Sequence, residues 1–84
     1  MNAQEITQAI DDRAAPDYGL WRIGITANPS ATKQLYKNED LKDWSEWQAD
    51  SQDVARAVAS HFLDAGMKES EPGVIGEPTY VYIF

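Results

Sequence analysis

The chain has 84 residues, a formal net charge of −7 and no cysteine. One domain with one core is expected at this length, burying only about 60% of the surface that the unfolded chain exposes, and the missing cysteine removes disulfides and thiolate metal sites and fits a reducing cytoplasm. The acidic balance argues against nucleic acid as a partner, and the absence of a long apolar run, with the polar, acidic start "MNAQEITQAIDD", argues against a membrane span or a secretory signal.

Taken in chain order, Asn2 followed by Glu5 fits a capping box, and Ile6 and Ile10, with Ala3 and Ala14 beside them, give a first helix an apolar stripe that ends before Pro16. "YGLWRIGIT" alternates as a strand, with Trp21, Ile23 and Ile25 on one face and Leu20, Arg22, Gly24 and Thr26 on the other. Asn28 reads as an N-cap and Pro29 as the first residue of a short second helix running through Leu35. "DWSEWQA" is a weaker strand candidate. The third helix starts at Asp50 or Ser51 and is ended by Gly66, with Val54, Val58, Phe62 and Ala65 on its core face. "GMKESEPGVIGEP" reads as a loop, of which "ESEPGVIGEP" is expected to move through Gly73 and Gly76, and "TYVYIF" as a closing strand. The order α-β-α-β-α-β predicts an α/β domain of the α+β type over residues 1–84. Its sheet is small, three-stranded and mainly antiparallel, with about three packed helices. "LWRIGIT" and "TYVYIF" are expected to be antiparallel neighbours.

Few residues point to chemistry. His61, the only histidine, has no second ligand and is expected to be a half-buried structural residue. Trp21 is expected in the core, and Trp44 and Trp47 on opposite faces of a strand. Asp11 and Asp12 adjoin on a helix and so do not face each other as an acid–base pair. Glu39, Asp40, Asp43, Glu46, Asp50 and Asp53 form a central acidic stretch, read as a solvated face.

"RIGIT" followed by "NP" and a helix, with "DSQDVARAVASHF" further on, resembles the GIY-YIG nuclease superfamily. In that family a Y-I-G-x-S/T strand leads to a helix carrying a catalytic arginine, and a later helix supplies a metal-binding glutamate. Ile23, Gly24 and Thr26 match the strand motif, while Arg22 stands at the tyrosine position. The arginine would fall near Thr32 or Lys33, and the glutamate, in the pattern A-x-x-x-E, on Ala59. A methyl group cannot hold Mg²⁺, and lysine lacks arginine's bidentate fork. The resemblance therefore implies a catalytically empty member of the family, or a sequence that only looks like one. Its partner strand would be "TYVYIF", placing Tyr80 or Tyr82 beside Arg22 and Lys33 in a vestigial pocket that could accept a small anion, or else leaving both tyrosines as mere cover for the sheet.

The expectation is a non-enzymatic interaction protein with a protein partner, no catalytic residues, no metal and no cofactor. The vestigial pocket candidates are Arg22, Thr26, Lys33, Ala59, Tyr80 and Tyr82. The alternatives are a divergent nuclease or nucleic-acid-binding module, which would need a carboxylate from elsewhere and a basic surface, and a small anion-binding protein.

Overall fold

The computed structural model of the chain describes residues 1–36, 39, 41–70 and 77–84. Asn2 opens α1 (Ala3–Ala14) through a closed capping box. The Asn2 Oδ1 accepts from the Glu5 N–H at 2.8 Å, and the Glu5 Oε1 accepts from the Asn2 N–H at 2.9 Å. Two of the helix's orphan donors are thereby satisfied. Its buried residues are Ile6, Ile10 and Ala14. The chain then makes one 3₁₀ turn over Tyr18–Leu20 before β1 (Arg22–Thr26). The strand expected from Tyr18 thus begins later, because the Leu20 and Trp21 N–H groups bond back to the carbonyls of Asp17 and Tyr18, each at 3.0 Å.

Asn28 caps α2 (Pro29–Leu35), its side chain accepting from the Ala31 N–H at 3.1 Å. The fixed φ of Pro29 suits the first helical position. β2 (Ser45–Gln48) follows, and then α3 (Gln52–Ala65), where Ser51 Oγ accepts from the Val54 N–H at 3.2 Å. Gly66 stops α3 in the left-handed region at φ 118°, a conformation that glycine adopts without the Cβ penalty. β3 (Lys68–Glu69) and β4 (Tyr80–Ile83) complete the elements among the described residues.

The strands form one four-stranded mixed sheet in the order β2-β4-β1-β3. β1 and β4 are antiparallel neighbours in the register Ile23↔Ile83, Gly24↔Tyr82, Ile25↔Val81 and Thr26↔Tyr80, and β2 pairs antiparallel with the other side of β4. The expected three-stranded sheet is corrected by β3, which lies parallel to β1 within a stretch that reads as loop. β3 is held by backbone bonds, the N–H groups of Lys68 and Ser70 donating to the carbonyls of Trp21 and Ile23 at 3.0 and 2.9 Å. Two exposed charged residues carry no apolar alternation to announce such a strand. The mobility expected of "ESEPGVIGEP" falls mostly on residues 71–76, outside the described residues.

One face of the sheet carries Ile23, Val81 and Ile83 into a core shared with Ile6 and Ile10 of α1 and Val58 and Phe62 of α3. Trp21, Ile25 and Trp47 pack against its margin. On α3 the buried stripe runs through Ala55, Val58, Ala59 and Phe62, while Val54 is half-buried and Ala65 exposed. The stripe is turned from the expected one because α3 packs against α1 as well as against the sheet. His61 is exposed and meets the Phe62 ring edge-on at 4.8 Å, so the expected half-buried histidine is corrected too. The Tyr18 hydroxyl donates to Asp11 Oδ1 at 2.6 Å. This bond, with smaller contributions from burial and from the Asp11 charge, raises the Tyr18 pKa.

Candidate functional site

The second face of the sheet is built around Tyr82. Its cross-strand neighbour is Gly24, and a Cβ placed on Gly24 would fall on the Tyr82 ring and hydroxyl. Glycine therefore lets the ring lie across β1, an aromatic packing over a bare strand position. The Tyr82 hydroxyl then reaches Ser70 Oγ at 2.8 Å, and Ser70 Oγ lies 2.6 Å from the Tyr36 hydroxyl. Burial raises the Tyr82 pKa to about 12, against a smaller opposing effect of the Ser70 hydrogen bond. Trp44 stacks flat on Tyr82, ring centroids 4.7 Å apart and planes 9° from parallel, and overlaps Phe84 at 5.4 Å. Trp44 and Trp47 thus serve opposite faces, and Trp47 joins the core margin.

The other candidates have partners of their own. Arg22 donates to both carboxylate oxygens of Glu39 at 2.8 and 3.1 Å and lies over the Phe84 ring at 5.3 Å. The pair is 43% exposed on each side, so water and salt weaken it, while its two-pronged geometry fixes the guanidinium. Lys33 Nζ sits over the Trp44 ring, 5.8 Å from its centroid. Thr26 Oγ1 is buried against Thr32 Oγ1 at 2.7 Å and also accepts from the Asn28 N–H at 3.1 Å, tying β1 to α2. Tyr80 is half-buried opposite Thr26 on one side and Gln48 on the other. Ala59 is on α3, against the first face of the sheet.

Among the described residues, three of these candidates divide between two clefts. Arg22 lines a cleft of about 430 Å³ with Leu20, Glu39, Lys68 and Phe84. Ala59 and Tyr82 meet instead in a cleft of about 280 Å³ where α3 faces β1, together with Gly24, Arg56, Leu63 and Ser70 among others. Among the described residues, Arg22, Lys33 and Tyr82 are joined through the rings of Trp44 and Phe84. Sequence reasoning missed Glu39 as the partner of Arg22, Tyr36 and Ser70 as partners of Tyr82, and Arg56 as a cation on the cleft that Ala59 lines. The i, i+3 spacing of Arg56 and Ala59 on α3 was the one available signal.

Among the described residues, no group of three His, Asp or Glu side chains is arranged to hold a metal, and no helix is long and apolar enough to cross a membrane. The hydroxyl chain at Tyr82 can donate a hydrogen bond, and Arg56 can attract an anion, but neither is a nucleophile paired with a base. Compared with known proteins, the chain matches no family model, no curated protein and no solved structure.

Proposed function

We propose that the chain is a small, acidic, non-enzymatic interaction protein of the cytoplasm, on a scaffold similar to GIY-YIG nucleases but empty of their chemistry. The observation that carries this reading is the engagement of Arg22. Its guanidinium is held by both oxygens of Glu39, so the cation at the motif's tyrosine position already has a carboxylate partner where a phosphate would need it. Lys33 on Trp44, Thr26 on Thr32 and the methyl group of Ala59 add to the same picture of groups used for packing. A polyanion would also meet an overall charge of −7. A small-anion site at Arg22 and Lys33 loses weight for the same reason, since both are engaged.

The test is affinity capture from the source cell with the tagged wild type, using Phe62→Ala as a folding control. A stoichiometric protein that is retained after nuclease treatment and lost with Phe62→Ala is expected. Recovery of nucleic acid alone would overturn the reading.

A further inference from the structure

The cleft of about 280 Å³ between α3 and β1 has a composition that the interaction reading leaves unexplained. β3 pairs with β1 only at Arg22 and Ile23, so it stops short of Gly24 and Ile25, whose edge lines the cleft. Ile23, Ile25, Ala59 and Leu63 provide apolar wall. Ser70 and Tyr82 provide buried hydroxyls, 7% and 1% exposed.

The hydroxyls of Tyr36, Ser70 and Tyr82 own one hydrogen each, and the two bonds linking them consume two. One hydrogen is left over, and the two orientations that leave it on Ser70 or Tyr82 offer it at the cleft. At the same cleft the Arg56 side chain has no hydrogen bond or ion pair with any described residue. A spare buried donor, a guanidinium with no partner among the described residues and an apolar wall are what a carboxylate with a hydrocarbon body requires. Glu69, exposed on the same cleft, would repel a carboxylate placed beside it, which leaves Arg56 as the cation of the lining. The volume lies just below the usual range for small-molecule sites, which begins at about 300 Å³ and so restricts the occupant to a small molecule.

We propose that this cleft binds a small monocarboxylate with an apolar body, the carboxylate at Arg56 and the hydroxyl pair and the body against Ile23, Ile25 and Leu63. The proposal goes beyond the interaction reading and does not depend on it, because it concerns a different group of residues from Arg22, Glu39 and Lys33.

The experiment is a two-dimensional ¹⁵N–¹H NMR titration of the full chain with 3-phenylpropionate, and in parallel with 3-phenylpropylammonium, which has a similar body and the opposite charge. Saturable shifts centred on Gly24, Ile25, Ala59 and Ser70 are expected with the carboxylate alone, at a Kd on the order of 0.1–1 mM for so small a ligand. Arg56→Gln, an exposed change that leaves the core alone, is expected to weaken binding roughly fivefold to tenfold through loss of a charge-assisted bond. Ala59→Leu, which fills the cleft, is expected to abolish it, with thermal unfolding as the folding check. No saturable shift, equal binding of the ammonium compound, or an unchanged Kd in Arg56→Gln would each overturn the proposal.

Discussion

Gly24 shows how one residue can satisfy a motif and a packing requirement together. It stands at the glycine of the strand motif in "RIGIT", yet it has a local reason to lack a side chain, since Tyr82 occupies the space where a Cβ would go. Gly24→Ala is therefore expected to destabilise the protein by about 1–3 kcal/mol through overpacking, and to cost much less in a Tyr82→Ala background. Chemical denaturation of the four members of that cycle measures the coupling. The sequence showed the glycine but not its reason, which depends on a strand register with a segment far along the chain.

Tyr82 makes a second prediction at the same scale. Its pKa, about 12 in the folded protein, lies above the ordinary value of 10.0. The unfolded chain therefore releases this proton first as the pH rises. Stability from this group is complete below pH 10 and is lost progressively between about pH 10 and 12. Urea denaturation of wild type and Tyr82→Phe across that interval checks it, and the slope with pH is expected to be shallower in the variant. An identical slope would place the Tyr82 hydroxyl in water.

At the scale of elements, local chemistry was well marked in the sequence. Asn2 with Glu5, Asn28 with Pro29, and Gly66 mark helix ends through interactions within a few residues, and each end lies where those residues place it. Ser51→Ala is accordingly expected to cost about 1 kcal/mol through loss of the α3 cap. Phe62 is fully buried and packs 5.8 Å from the Tyr18 ring. Phe62→Ala is expected to cost about 3–5 kcal/mol, a large share of the stability of so small a chain. Equilibrium unfolding measures both, and a loss below about 1 kcal/mol for Phe62→Ala would remove it from the core. What was not legible is tertiary in origin. β3 exists through backbone bonds to β1, and the buried stripe of α3 is set by two neighbours at once. The candidate site divided for a similar reason: Arg22 and Ala59 lie near opposite faces of one sheet, a separation that linear spacing does not encode.

At the scale of the whole molecule, the proposed reading is a protein without nuclease activity. A charge of −7 repels a polyanion, and Arg22 is committed to Glu39 while Ala59 offers no oxygen to a metal. Introducing a carboxylate by Ala59→Glu is expected to give weak metal binding at most, because a single carboxylate is a poor site for a divalent cation, and no cleavage, because no activated nucleophile accompanies it. The most direct measurement is metal-dependent cleavage at low salt, where attraction is least screened, with single-stranded and structured DNA and RNA, Mg²⁺ or Mn²⁺, and wild type beside Ala59→Glu and Arg22→Ala. Intact substrate is expected with the wild type under every condition. Metal-dependent cleavage by the wild type that disappears in Arg22→Ala would contradict it.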